Sequence, residues 1–335
     1  MTLPLLSVLD LSTVGDGQTS ADALAATTES ARLADQLGYR RFWVAEHHNF
    51  PSVASTTPPV LIAHLAANTS TISVGSGGVM LPNHPPLVVA EQFAMLEALY
   101  PGRIDLGIGR APGTDGRTAV ALRRSLVHEG TEEFPKHLLD VMALLGDARH
   151  DDNMGTMFSA TPVALTSPNV MLLGSSTFSA ELAGRLGLPF AFAQHFSGEY
   201  LDAAVATYRS AFRPSSVLDL PYLIVATAAL AADTEEEAHR QSMPGRLMTV
   251  NIRRNRPVPI STVEAALASA DAELAISLTQ DRVAGTVDTV VAALHDLTER
   301  TGADELMIAT ITHGLDARQR SMRLIANAWS MAQVS

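Results

Sequence analysis

The chain has no cysteine among its 335 residues. That excludes disulfides, thiolate-bound metals and thiol nucleophiles, and it suits a reducing compartment. Lysine is almost missing as well, since Lys136 is the single one among 23 Lys and Arg residues. With 35 Asp and Glu residues and a charged fraction of only 17%, the formal net charge is −12. No basic cluster interrupts that field: the densest group, Arg253, Arg254 and Arg256, sits in a proline-flanked loop. Nucleic acid is therefore not expected as a partner. Long apolar runs are lacking too, because the longest, Leu220–Ala232, falls short of the roughly 20 residues that a membrane-spanning helix needs. The amino terminus lacks a basic stretch, and its apolar residues meet Asp10 too early for a secretory signal. These absences predict a soluble, cytoplasmic protein that engages no membrane.

What is present suffices for a large core, with 47% hydrophobic residues and a mean hydropathy of +0.14. Short β-branched or aromatic runs alternate with amphipathic stretches. The runs Leu6–Leu11, Arg41–Ala45, Thr71–Val79, Ile104–Ile108, Val170–Leu173, Phe190–Ala193, Tyr222–Ala228 and Leu306–Thr310 read as strands. Helices are predicted from an N-cap at Ser20 to Leu37, at Pro58–Ala67, and from the Pro85-Pro86 pair to Tyr100. Further helices are predicted at Glu132–Leu145, Ser176–Leu186, Gly198–Phe212, Glu235–Gln241, Val287–Arg300 and Asp316–Trp329. Eight strand-helix units predict the α/β class and an eight-stranded parallel β/α (TIM) barrel, one domain over residues 1–335. A doubly wound open sheet is the rival, and evenly spaced units suit closure better. Two stretches break the alternation, Asp147–Pro168 and Met243–Asp281. The second, between strands seven and eight, is predicted to be an insertion forming a lid over the barrel mouth.

The densest chemical signal runs from Gly75 to Gly113. Two buried strands there end in glycines, which let backbone lie close against a flat ligand, and Arg110 follows the second at once. Strand two ends in Glu46-His47-His48. Adjacent histidines on a strand point to opposite sides, so one of the pair enters the pocket as a general base. Consecutive residues cannot converge on one ion, so no metal is expected. The strand-to-helix passage Leu173-Gly174-Ser175-Ser176-Thr177-Phe178-Ser179 offers helix-start amides and hydroxyls to a phosphate, or else a plain serine N-cap; Arg110 favours the phosphate. His195 and His313 end strands six and eight, and with His84 they are the candidates for touching substrate. His64, Trp43 and Trp329 read as packing residues. Arg103 reads as a salt-bridge partner, and Arg117, Arg123 and Arg124 as solvated.

These pieces in this order resemble the bacterial luciferase-like flavin monooxygenases. The blocks that carry the likeness are Phe42–His48, Val74–Pro82, Pro101–Arg110, Leu173–Ser176 with Gly187–Pro189, and Gly302–Met307. The resemblance implies a barrel that binds reduced FMN (FMNH2) at the carboxyl ends of its strands. His47 takes the place of the catalytic histidine. Gly77 and Gly78 take the place of a non-prolyl cis peptide beneath the flavin ring, with Ser76 beside them. Glu91, Gly109 and Arg110 match flavin-contacting positions, and Ser175, Ser176 and Ser179 match the phosphate contacts. Gly109 stands where true luciferases carry a cysteine, which argues against light emission, and Thr312-His313-Gly314 departs from the Thr-His-Asp of close relatives. The implied activity is that of a two-component monooxygenase. A separate flavin reductase supplies FMNH2, O2 gives a flavin hydroperoxide, and a small organic substrate is oxygenated; a homodimer is implied as well. A deazaflavin-dependent dehydrogenase on the same fold, a non-catalytic flavin-binding protein and a metal hydrolase are the alternatives.

Overall fold

The computed structural model describes residues 3–123, 133–147, 157–254 and 256–334. Its strands are β1 (Leu5–Asp10), β2 (Arg41–Val44), β3 (Ser73–Met80), β4 (Ile104–Gly109), β5 (Asn169–Gly174), β6 (Phe190–Ala193), β7 (Leu223–Ala232), β8 (Val283–Thr286) and β9 (Glu305–Ala309). Neighbours pair in parallel in the order β6-β5-β4-β3-β2-β1-β9-β7, and β6 pairs with β7 to close the ring. The result is an eight-stranded parallel barrel with helices between its strands, as the alternation predicts.

Side chains alternate between two cores, as a period of two requires. Val8, Phe42, Leu172, Phe190, Phe192, Val225 and Ile308 face outward into the layer beneath the helices. Leu9, Trp43, Met171, Ala191, Ile224, Ala226 and Met307 fill the barrel itself. Two strand glycines are set by this packing rather than by a ligand. A Cβ on Gly107 would lie 2.1 Å from the Ser76 carbonyl oxygen, and one on Gly75 would lie 2.9 Å from Trp43 Nε1 and 2.5 Å from Asp105 Cβ.

Charge occupies the amino-terminal end of the barrel interior. Arg41 donates from Nη1 to Asp105 Oδ2 at 2.7 Å and from Nε to Glu305 Oε1 at 2.8 Å. Trp43 Nε1 and Asn169 Nδ2 also donate to Asp105. Tyr222 Oη and Ser7 Oγ donate to Glu305. Every member is a strand-start residue or lies close to one, so a single layer of the barrel collects them.

Among the outer helices, α1 (Ser20–Gln36) begins one residue earlier than its sequence suggests, because Thr19 rather than Ser20 is the N-cap and forms a reciprocal capping box with Asp22. Next come α2 (Pro58–Ala67), α3 (Pro86–Leu99), α4 (Gly116–Arg123) and α5 (Phe134–Leu144). Arg103 is structural, but among the described residues it forms no salt bridge. Its guanidinium donates to the carbonyls of Ala66, Thr69 and Ile72, covering the open carboxyl end of α2. His64 bonds to Thr28 Oγ1, and Trp43 and Trp329 are buried. Arg117 is exposed, whereas Arg124 lies outside the described residues.

The later helices are α6 (Thr177–Arg185), α7 (Leu201–Ala211), α8 (Glu235–Arg253), α9 (Val263–Leu267), α10 (Ala272–Ser277), α11 (Val287–Thr301) and α12 (Leu315–Val334). Two features here depart from the sequence reading. Helix α8 does not stop at Gln241 but continues through Pro244, and Gly245 is pressed so close to the chain beyond β9 that a Cβ would lie 2.5 Å from the Ile311 carbonyl oxygen. Strand β8 was not expected; it sits outside the ring, paired with the last four residues of β7, Ala229–Ala232. Segment 243–281 has its own small core of Met243, Leu247, Val250, Ala266 and Ala275. It packs on the loops after β1, β2 and β9 through Met248 and Ile260 against Leu11, Phe50, Val53 and Ile311. Among the described residues no helix is long and apolar enough to cross a membrane.

Candidate functional site

The site is assembled at the carboxyl ends of β2, β3, β4, β5 and β6. Beyond β2, Glu46 and His48 are two residues apart and turn the same way, while His47 turns the other. Glu46 is buried, and its Oε1 accepts from His48 Nε2 at 2.8 Å, His84 Nε2 at 2.8 Å and Asn83 Nδ2 at 3.4 Å. Its Oε2 accepts from the Met80 amide at 3.0 Å. Burial pushes this carboxyl upward, but the bonds from His84, His48 and Met80 and the charge of His84 outweigh it and hold the group below the usual range. The expectation that Glu46, His47 and His48 cannot converge therefore holds for His47 only. The ligand atoms of Glu46, His48 and His84 lie within 4.8 Å of one another, a close group that the structure joins by hydrogen bonds.

His47 Nδ1 lies 3.2 Å from the Gly113 carbonyl oxygen. A carbonyl only accepts, so this partner assigns the proton to Nδ1 and leaves the Nε2 lone pair available. Phe50 packs against the ring edge-on, with centroids 5.9 Å apart. Burial lowers the pKa of His47 below the ordinary imidazole value, opposed by the Gly113 bond and the Glu46 charge. His195 repeats the arrangement at the end of β6: Nδ1 lies 3.2 Å from the Ala226 carbonyl oxygen, again leaving Nε2 as the acceptor. Burial brings its pKa down to about 4, and the charges of Arg282 and His47 add to that effect against the Ala226 bond. The two imidazoles are thus within electrostatic reach of each other across the mouth.

Beyond β4, Gly109 leaves room: a Cβ there would meet only the flexible end of Met80, with Sδ at 3.1 Å, and then ordinary contacts. Arg110 follows, with its guanidinium carbon 4.3 Å from the centre of the Phe178 ring in the first turn of α6. Among the described residues Arg110 forms no ion pair. Ser176 is the N-cap of α6 in extended conformation, yet its hydroxyl makes no capping bond. Ser179, one turn on, is buried against Gly174, where a Cβ would strike it at 2.5 Å. Ser175 lies half-buried between them. A cation, a helix start and three serines are thereby gathered, and among the described residues the cation has no protein anion paired with it.

The remaining candidates are dispersed. The Gly77–Gly78 peptide is cis and crosses above Leu9 and Trp43. Ser76 Oγ is buried and donates to the Gly107 carbonyl. Glu91 stands on α3 and accepts from Thr161 Oγ1 at 3.2 Å. His84 is engaged with Glu46, and His313 Nε2 is tied to the Asp16 carbonyl at 3.0 Å. Gln194, which the sequence reading passed over, is buried beside His195, and among the described residues its Oε1 has no partner. Its position at the end of β6, the criterion that picked out His195, was the available signal.

The family described as luciferase-like monooxygenase matches residues 6–305. The chain belongs to that family. A luciferase-like monooxygenase of Escherichia coli strain K12 is 41% identical over 327 residues, covering 95% of each chain. The N-acetyl-S-alkylcysteine monooxygenase of Bacillus subtilis strain 168 is 34% identical, covering 96% of this chain and 97% of its own. The crystal structure of apo-MsnO8 superposes with a TM-score of 0.90 at 37% identity, covering 98% of this chain and 99% of its own.

In this luciferase-like monooxygenase the buried state of His195 has a consequence for stability. An unfolded chain takes a proton on this imidazole below about pH 6.5, whereas the folded one stays neutral down to about 4. The contribution of neutral His195 to stability is therefore complete above the higher value and lost as pH falls through that window. Denaturation midpoints measured from neutral pH downward should fall less steeply in His195→Gln than in the parent. Identical slopes would show that His195 titrates like an exposed imidazole.

Proposed function

We propose that this enzyme is the oxygenase component of a two-component FMN monooxygenase, with a separate flavin reductase supplying FMNH2. One observation carries the reading: Arg110, without an anionic partner among the described residues, is held over Phe178 in the first turn of α6, whose N-cap Ser176 hydroxyl makes no capping bond. A phosphate monoester is the group that such a set is built to grip, through a charge-assisted bond and the helix-start amides. Arg110, Ser175, Ser176 and Ser179 would hold that phosphate. Gly77, Gly78 and the open position at Gly109 would lie along the flat ring, with Ser76 bracing the strand beneath and Glu91 in the outer part of the cofactor set. Bound reduced FMN supplies the electrons with which O2 is split, one oxygen atom entering the substrate and the other leaving as water. The chain's own part is to exclude solvent with segment 243–281 acting as a lid, to position the substrate among His84, His195 and His313, and to move a proton at His47 Nε2.

The Bacillus subtilis relative's name places N-acetyl-S-alkylcysteines among the substrates handled within the family, and such thioethers belong in a first substrate screen. We infer cytoplasmic residence, where a reductase and reduced flavin are at hand.

Titration with oxidised and with reduced FMN tests the proposal. Arg110→Ala should weaken binding about 10–10²-fold, the range for losing a charged hydrogen-bond partner, without loss of fold. Absence of binding by either form, or an unchanged affinity in the variant, overturns it. Oxygen uptake with FMNH2 separates this reading from a deazaflavin dehydrogenase. We also infer a homodimer formed through α2 and α3, whose Val60, Val88, Met95 and Leu99 are exposed apolar side chains. Sedimentation should return twice the chain mass, and Met95→Glu together with Leu99→Glu should return the monomer.

A further inference from the structure

Arg246 and Arg282 bring two guanidinium groups to the β6 side of the mouth, and among the described residues neither forms an ion pair. Arg246 is the more heavily engaged, with four of its five N–H groups donating to Ser242 Oγ, to Thr279 O and Oγ1, and to the Arg282 carbonyl. Arg282 is braced but not exhausted. Its Nη1 donates to Gly245 O at 2.8 Å and its Nη2 to Thr249 Oγ1 at 2.7 Å. Nε and one hydrogen on each terminal nitrogen are left for another acceptor.

The surroundings favour an anion. Burial lowers the pKa of Arg282 to about 10; the Asp281 charge is the next influence and opposes it, and the smaller effects of Arg246 and Arg253 add to the lowering. Three cations against one carboxylate is a local excess of positive charge in a chain whose net charge is −12. The field of Arg282 reaches His195. Gly198 joins the two elements: a Cβ on it would lie 3.5 Å from Gln194 Cγ and 3.3 Å from Asp281 Oδ2. Gln194 is nine-tenths buried, and among the described residues its Oε1 is an acceptor without a donor. Buried polar atoms are rarely left so, and a bound ligand is one reason for it.

We propose that Arg282 and Gln194 form a substrate subsite for a carboxylate that carries a neighbouring N–H or O–H donor, as in an N-acyl amino acid. The guanidinium takes the carboxylate, Gln194 Oε1 takes the donor, and the remainder of the molecule extends past His195 towards His47. The subsite names the substrate class of the oxygenase proposed above and rests on that reading.

Calorimetric titration of the FMN-loaded and the flavin-free chain with benzoate, N-acetylglycine, N-acetylmethionine and their methyl esters tests it. At least one acid should bind about tenfold or more tightly than its ester, as a charge-assisted bond gives. Arg282→Gln should reduce that preference to about twofold or less, and Arg282→Lys should keep part of it. Gln194→Leu leaves the braces of Arg282 untouched and should weaken the N-acetyl acids relative to benzoate about three- to tenfold. Equal binding of acids and esters, no binding of any acid, or a preference that survives Arg282→Gln overturns the subsite. FMN affinity read on the same samples keeps the two ideas apart. Flavin binding without an acid preference sinks the subsite alone, and an acid preference without flavin binding sinks the flavin reading alone.

Discussion

Replacing His47 with alanine is expected to lower turnover about 10²–10⁴-fold, the usual worth of a positioned acid–base group, while FMN affinity stays near that of the parent. The geometry behind the expectation is the fixed tautomer: the Gly113 carbonyl holds the Nδ1 proton, so Nε2 is the one atom of the ring that can take or return another. Because burial lowers the pKa of His47 from the ordinary 6.5, the base form persists below that pH. The acid limb of the turnover profile should therefore lie lower than 6.5 and vanish in the variant. His47→Asn keeps a polar group that can donate to the Gly113 carbonyl but has no basic nitrogen, and it should not recover the rate. Matching losses of turnover and of FMN binding would instead make the residue a structural one, packed on Phe50.

The second large effect concerns stability. Arg41→Met would leave Asp105 and Glu305 facing each other in the barrel without their cation. Removing one partner from a buried charge pair typically costs about 3–5 kcal/mol, and here a single guanidinium serves two carboxylates. Arg41→Lys should recover only part, since an ammonium cannot reproduce the fork that spans both acids. The two carboxylates also raise the pKa of Arg41 despite its burial, so the cation persists at any working pH. Equilibrium unfolding in urea measures the difference. A change below about 1 kcal/mol, the size of a surface pair, would show that Trp43, Tyr222 and Asn169 satisfy the acids alone.

The barrel was legible because its strands are mostly buried and separated by long amphipathic segments, so each run of apolar residues stands out. Strand β8 was not: Val283-Ala284-Gly285-Thr286 is short and half-buried, and only the tail of β7 gives it a partner. The helix predicted at Glu235–Gln241 runs on through Pro244, although an internal proline forfeits a helical bond. The packing of Met243, Leu247 and Val250 into the core of their own segment overrides it.

The site divides along the same line. His47, His195 and Arg110 follow strands directly, and position along the chain is enough to find them. The closing of His84 onto Glu46, 38 residues away, and the meeting of Gln194 with the segment carrying Arg282 depend on which loops fold over one another, which no local pattern encodes. The glycine run misleads in part for a related reason. Gly75 and Gly107 answer to Trp43, Asp105 and Ser76, so a motif that looks like a cofactor seat is half a solution to filling the barrel.

Strand β7 belongs to two structures at once. Its first half is a stave of the ring, and its second half, Ala229–Ala232, carries β8 and thus the return of the chain from segment 243–281. Segment 243–281 is consequently riveted to the wall at both its departure and its arrival. Anyone exchanging it for the cover of another barrel would need to cut within these paired strands, transplanting Ala229 to Thr286 as one module, because seams placed in the adjoining loops would sever the ladder that holds the piece in register.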